Sequence, residues 1–218
     1  VGDSAMSVVA QHVHASPRSP QALRPDLDPR LASIVLRLLA KAPGDARALY
    51  LVGRAEQRGG SAEAEKHLLA ALEAEPKLLP AQLALAELAY DRGEREAAKQ
   101  VLATARQADP EQLRVHLFSL FVAADDAEPT ALERDLNALA NAMKKAGQVD
   151  RALEALIRAR SLRRDGKSDA AAKAVETAAS SGSGDARVLA WMAREALAVG
   201  RPALAQHWAS EPLSGGPD

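Results

Sequence analysis

The sequence predicts an all-α protein built from antiparallel helix pairs, and three observations support this prediction. The chain of 218 residues contains 49 alanines and 30 leucines, which are strong helix formers. Aromatic residues, which strands favour together with β-branched ones, make up only 3% of the chain. Small and apolar residues also recur at one fixed spacing along the chain, which is typical of repeat proteins.

The fixed spacing relates glycines, apolar stripes and prolines along the chain. The spacing is the number of residues from Gly59 to Gly93, and the same number separates Gly166 from Gly200 further on. We expect each of these glycines to end a helix, where a residue that adopts a positive φ is required. The same spacing separates Ala64 from Ala98, Leu68 from Leu102, Ala71 from Ala105 and Pro76 from Pro110. The Ala and Leu positions predict the inner stripe of a second helix, and each proline follows its end.

This pattern resembles the tetratricopeptide repeat (TPR) family, whose members are α-solenoids of antiparallel helix pairs. The clearest unit covers residues 80–110, a second covers 45–76, and weaker matches cover 152–179 and 186–209. Residues 111–147 are helical in pattern but degenerate, because the stretch 125–130 replaces the glycine turn. The family's usual aromatic residues in the first helix are mostly Leu and Ala here. We expect a TPR-like solenoid over 44–210, and the alternative is an irregular helical bundle with accidental periodicity.

Residues 1–43 break the repeat and predict a short helix, a Pro-rich loop and a second helix. They contain, in order, the motifs Gly2-Asp3-Ser4, Gln11-His12, Arg24-Pro25-Asp26-Leu27 and Leu38-Leu39-Ala40-Lys41-Ala42-Pro43. This order resembles the end of the C-terminal lobe of a bacterial, eukaryotic-like Ser/Thr protein kinase domain. The arginine that follows this proline in the family would stand at Ala46, and Arg47 comes one residue late. The alternative is a Pro-rich leader before the solenoid. We expect 211–218 to be a disordered tail.

The kinase resemblance does not make this chain an enzyme. The sequence has no Gly-rich phosphate loop followed by a lysine, no His-Arg-Asp motif and no Asp-Phe-Gly motif. Phosphoryl transfer depends on the side chains and metal ions that these motifs position. There is also no cysteine, which excludes thiolate metal sites and cysteine nucleophiles. We therefore expect no catalytic residue, no cofactor and no metal site.

Charge and hydropathy narrow the classes of partner. The formal net charge is −1, which gives no electrostatic reason to expect nucleic acid as a partner. No apolar run approaches the roughly 18 residues that a membrane span needs. We expect no membrane span, a cytoplasmic location and a protein or peptide ligand. The sequence carries no signal for a particular oligomeric state.

A TPR array provides a groove lined by the first helix of each repeat. Counted back from the turn glycines, the resemblance implies nine candidate groove residues: Glu87, Tyr90, Asp91, Arg160, Arg163, Arg164, Arg187, Trp191 and Arg194. The arginines at 160, 163 and 164 share one helical face through their i, i+3 and i+4 spacing. Together with Trp191 they predict a cationic, partly aromatic surface for an acidic or phosphorylated peptide. The alternative is a solvated outer face.

The preferred functional hypothesis is a protein–protein interaction module. The resemblances imply the C-terminal TPR-like region of a bacterial Ser/Thr protein kinase, which recruits substrates or regulators to the catalytic domain. Such tethering raises the effective concentration of a substrate without new contacts at the active site. The alternative is a free-standing TPR scaffold or adaptor in a bacterial multiprotein assembly.

Overall fold

The computed structural model describes residues 45–58, 60–180 and 185–210. Helices and the turns between them account for this part of the chain, which contains no strand, so the all-α prediction is confirmed there. The chain divides into two compact units, Val1–Asp109 and Pro110–Asp218. The helix–loop–helix expected over 1–43 and the tail expected over 211–218 lie outside the described residues. The extent of the repeat domain, 44–210, stays a prediction.

The described part of unit 1 contains two helix pairs. Its helices are α1 (Ala46–Arg58), α2 (Ala64–Ala74), α3 (Leu79–Asp91) and α4 (Arg95–Ala108). Helix α1 packs on α2 and α3 packs on α4, while α3 also contacts both α1 and α2. The predicted stripes of the second helices are fully buried, and their members are Ala64, Leu68, Ala71, Ala98, Leu102 and Ala105. Burial of these apolar side chains is the main stabilising contribution to each helix pair.

Unit 2 is arranged around one long helix. Its helices are α5 (Leu113–Ala123), α6 (Pro129–Ala138), α7 (Ala140–Met143), α8 (Gln148–Arg164), α9 (Ser168–Ser180), α10 (Ala186–Ala198) and α11 (Pro202–Ser210). Helix α8 contacts α5, α6, α9 and α10, and α10 pairs with α11. The pairs α8–α9 and α10–α11 match the predicted weaker units. Helices α5, α6 and α7 occupy the stretch in which the repeat pattern is degenerate.

Among the described residues, four glycine turns each connect the two helices of a pair, and they do so by the same hydrogen bonds. The four glycines have positive φ values of 71°, 82°, 73° and 72°, and they are Gly60, Gly93, Gly166 and Gly200. In the second turn the N–H of Gly93 donates to the carbonyl of Tyr90, and the N–H of Glu94 donates to that of Ala89. The other three turns repeat this pair of bonds at equivalent residues. The bonds satisfy carbonyl groups at the helix end, which is why the turn residue must tolerate a left-handed conformation.

The first turn corrects the sequence-based alignment. The residue with positive φ is Gly60, one position after the predicted Gly59, which lies outside the described residues. Gly93 precedes Ala98 by five residues, whereas Gly60 precedes Ala64 by four. The connection in the first pair is therefore one residue shorter, and the turn glycines of unit 1 do not keep the spacing that relates its second helices.

Counting from Gly60 also aligns a close contact between α1 and α2. Gly53 then stands seven residues before the turn, as Ala86 stands seven residues before Gly93. A Cβ atom at Gly53 would lie 2.8 Å from Cγ of Leu68 on α2. The small residue at this position therefore sets how closely the two helices of a pair approach.

Candidate functional site

The predicted groove positions lie on the first helix of each glycine-turn pair, namely α1 and α3 in unit 1 and α8 and α10 in unit 2. Six residues before the turn glycine stand Arg54, Glu87, Arg160 and Arg194. Three residues before it stand Gln57, Tyr90, Arg163 and Leu197. These two positions place mainly polar side chains on the first helices, in contrast to the apolar inner stripes of α2 and α4.

In unit 1 the groove positions of neighbouring first helices bind each other. Arg54 Nη1 lies 2.5 Å from Glu87 Oε2, and the two side chains are 18% and 16% exposed. Gln57 Nε2 donates to the carbonyl of Ala84, at 3.1 Å, and Gln57 Oε1 accepts from Arg54 at 3.0 Å. These contacts join α1 to α3 through a charged pair and an amide.

The other two predicted residues of unit 1 differ in exposure. Tyr90 is buried, whereas Asp91 is exposed at the end of α3. Sequence reasoning missed Arg54 and Gln57, because counting back from Gly59 places Gly53 and Glu56 at their positions. Counting from Gly60 finds both residues.

In unit 2 the structure brings Arg160 and Arg163 together on a buried carboxylate from α10. Glu195 is 3% exposed and accepts a hydrogen bond from Nε of Arg160 at 3.1 Å and from Nε of Arg163 at 2.8 Å. Asp125 lies 3.8 Å from Nη1 of Arg160 and 3.6 Å from Nη2 of Arg163. Two positive and two negative side chains thus form a network that joins α8, α10 and the turn after α5. We call these four residues the ion network.

Arg160 is an interior side chain of unit 2. It is 5% exposed, and its guanidinium lies 4.0 Å from the ring centroid of Phe121. A cation over an aromatic face is attracted by the negative potential of the ring, and more strongly when water is excluded. Together with the bond to Glu195, this contact compensates for the removal of the charge from water.

Arg160 and Arg164 also bind the C-terminal end of α5, which has no glycine turn. Nη1 of Arg160 donates to the carbonyl of Phe121 at 3.2 Å, and Nη1 of Arg164 donates to the carbonyls of Ala124 and Ala127. The last carbonyls of a helix lack intrahelical partners and carry partial negative charge, so cationic donors stabilise them. The arginines on this face of α8 therefore add side-chain donors to the backbone bonds from Ala124, Asp126 and Ala127 that close this end of the helix without a glycine.

Trp191 lies inside unit 2 among aromatic rings. It is 2% exposed, and its ring centroid lies 5.3 Å from that of Phe118 and 4.8 Å from that of Phe121. Phe121 contacts both Trp191 and Arg160, so Trp191 is associated with the arginines of α8 as predicted. This association lies in the interior of unit 2 rather than on a solvent-facing surface. The role of the nine candidate residues in ligand binding stays a prediction.

The remaining predicted residues lie on α10. Asp185 caps this helix by accepting hydrogen bonds from the backbone N–H groups of Arg187 and Val188. Arg194 is exposed. Leu197 is 61% exposed, one turn after Arg194, and sequence reasoning missed it because apolar periodicity assigns leucines to the core.

A titratable pair lies between α1 and α2. Nδ1 of His67 is 2.7 Å from Oε2 of Glu56, which is almost completely buried. The hydrogen bond to Glu56 is the main cause of a pKa of His67 above the usual 6.5, and partial burial opposes it. Because protonation of His67 changes its interaction with Glu56, the packing of α1 against α2 depends on pH.

Two kinds of feature are absent from the described part of the chain. No group of three or more His, Cys, Asp or Glu side chains there could hold a metal ion. No helix within 45–58, 60–180 or 185–210 is long and apolar enough to cross a membrane.

Comparisons with known proteins concern the fold. No protein-family model matches the chain, and no curated protein matches it. The solved structure of Pseudomonas aeruginosa PilF, a TPR protein, matches with a TM-score of 0.54 and 19% identity, over 82% of this chain and 80% of that chain. The fold is TPR-like. A structure of the APC/C hetero-tetramer Cut9–Hcn1 matches with a TM-score of 0.47 and 16% identity, over 94% of this chain and 47% of that chain. The prediction of an all-α, TPR-like solenoid of helix pairs is confirmed.

Proposed function

We propose that this chain is a protein–protein interaction module that binds a protein or peptide ligand through its first helices. The supporting observation is the chemistry of these helices: they carry Arg, Glu and Gln at the groove positions, whereas the inner stripes of α2 and α4 carry Ala and Leu. TPR-like arrays use this face for extended ligands. Binding rather than catalysis is the activity that this arrangement supports, and an acidic or phosphorylated ligand suits the exposed guanidinium of Arg194.

A peptide-display selection on the intact chain tests this proposal. The immobilised protein is offered a library of short random peptides, and the same chain after thermal unfolding serves as the control. We expect a shared motif to be enriched on the folded protein alone. If no motif is enriched over the unfolded control, the proposed function is wrong.

A finer version of the proposal attaches the module to a bacterial Ser/Thr protein kinase, to which it recruits substrates or regulators. The support is the order of the motifs between Gly2 and Pro43. The coding DNA upstream of Val1 tests it. An open frame encoding a Gly-rich loop, His-Arg-Asp and Asp-Phe-Gly supports the kinase assignment, whereas a start codon at or near Val1 contradicts it. The scaffold or adaptor hypothesis fits the TPR-like fold equally well.

A further inference from the structure

Helix α10 carries a line of exposed side chains along one face. The residues follow i, i+3 and i+4 spacing along the helix, and they are Ala190, Arg194, Leu197 and, just after the helix, Arg201. Ala190, Arg194, Leu197 and Arg201 are exposed. At 1.5 Å per residue the line is about 17 Å long, enough for five or so residues of an extended peptide. We call these four residues the α10 stripe.

The charges on the α10 stripe are all positive. Glu195 is the one carboxylate of α10, and it is buried and bonded to Arg160 and Arg163. Arg194 forms no ion pair with any residue that the structure describes. Arg201 lies 3.6 Å from Glu176, at the far end of the stripe. An anionic ligand would therefore meet cations, with no carboxylate of α10 itself to repel it.

Leu197 adds an apolar contact beside the cation. It is 61% exposed, and the other large hydrophobic side chain exposed in the described part of the chain is Leu69, at 44%, in unit 1. Arg194 and Leu197 are three residues apart, so their side chains are neighbours on the helix surface. A single exposed leucine is common on protein surfaces, but here it lies next to an uncompensated charge.

We propose that the α10 stripe binds an acidic peptide segment of a partner protein. A ligand carboxylate would bind the guanidinium of Arg194, and an apolar ligand side chain would cover Leu197. The low net charge of the chain, −1, favours such a short segment over nucleic acid or an anionic membrane, which bind through many cations. This inference rests on the proposed function, because it names the ligand chemistry for one first helix.

Fluorescence anisotropy with defined peptides tests the proposal on the full chain. The probe is a short fluorescein-labelled peptide in which four glutamates flank one leucine. Two matched probes replace the glutamates by glutamine or the leucine by alanine. We expect the glutamate probe to bind most tightly, and its affinity to fall as salt is raised.

Five variants locate the binding surface. Arg194→Ala is expected to weaken binding of the glutamate probe about threefold to fivefold, and Leu197→Ala about fivefold to tenfold. The matched controls are Arg151→Ala, an exposed arginine on α8, and Leu69→Ala, the exposed leucine on α2. Both controls should change the affinity less than about twofold. Arg194→Glu should bind a lysine version of the probe better than the wild-type chain does.

Three results of these binding assays would overturn the inference. The first is no binding of the glutamate probe at about 1 mM, the weak end of specific binding, and the second is an equal effect of the α10 variants and their controls. The third is preferential binding of a phosphoserine probe or of vesicles of anionic lipid, with loss in Arg194→Ala. If display selection yields ligands that bind Arg194→Ala and Leu197→Ala unchanged, the proposed function stands and this inference falls.

Discussion

Replacing Glu195 by alanine tests whether the ion network holds the helices of unit 2 together. The substitution leaves the buried guanidinium of Arg160 without its carboxylate, whereas Arg163 is partly exposed and can turn toward water. Loss of one partner of a buried ion pair costs about 3–5 kcal/mol. Since Asp125 lies 3.8 Å from Arg160 and compensates in part, we expect a loss of about 3 kcal/mol.

Urea unfolding followed by tryptophan fluorescence measures this loss, because both tryptophans of the chain, Trp191 and Trp208, belong to unit 2. For a denaturant slope of about 2 kcal/mol/M the midpoint should fall by about 1.5 M. The matched control is Glu154→Ala, which removes the partly exposed i,i+4 partner of Arg158 and should cost about 0.5 kcal/mol or less.

A second variant separates the buried charge from packing. In the double variant Arg160→Met with Glu195→Leu, both charges are replaced by apolar side chains of similar size, so most of the lost stability should return. If Glu195→Ala unfolds at the same urea concentration as Glu154→Ala, the ion network does not stabilise unit 2 and the reasoning above is wrong.

Three further predictions concern unit 1 and the turns. Because the pKa of His67 is raised above 6.5 by Glu56, the stabilisation by this pair is complete below that pH and is lost as the pH rises through the raised pKa. The thermal midpoint should therefore fall from about pH 6 to about pH 8.5 more steeply for the wild-type chain than for His67→Gln, and parallel pH curves would refute this. Ala98→Trp should overpack the inner stripe of α4 and lower the unfolding free energy by about 1–3 kcal/mol, and an unchanged melting temperature would show that Ala98 is not interior. Gly93→Ala should lower the unfolding free energy by about 1–2 kcal/mol because the φ of Gly93 is +82°. The control Gly147→Ala, at φ −76°, should change the unfolding free energy by no more than about 0.5 kcal/mol. Equal melting temperatures of the two variants would contradict the turn assignment.

The helix pairs could be predicted from sequence because their requirements are local. A glycine that ends a helix and a stripe of Ala and Leu recur at fixed distances, and Ala98 and Leu102 are buried as the repeat predicts. The first turn is predicted one residue early because Gly59 and Gly60 are adjacent and both tolerate a positive φ. The connection before Ala64 is shorter than the one before Ala98, and Gly53 lies close to Leu68 in the same helix pair. Both features become visible only in the three-dimensional structure.

The surroundings of the candidate site residues could not be predicted in the same way. Spacing places Arg160 on a helical face, but that face is covered by Phe121 and Glu195, which are 39 and 35 residues away in sequence. Trp191 is buried for the same reason, since α5 supplies the rings that stack on it. Leu197 shows the converse limit, because the periodicity of an amphipathic helix does not reveal that this leucine is exposed unless the packing partners of α10 are known.

The two ways of closing a helix end differ in when a growing chain can complete them. A glycine turn binds carbonyls only a few residues back, so each such helix can close as soon as its own turn has been synthesised. The end of α5 has local backbone bonds as well, but its bonds to Arg160 and Arg164 join donors and acceptors that lie 37 to 40 residues apart in the chain. At a synthesis rate of about 5–20 residues per second, α5 is synthesised roughly 2–8 seconds before these donors exist. During that interval only the local backbone bonds can close this end of α5, and unit 2 acquires the full set of native bonds there only after α8 has been made.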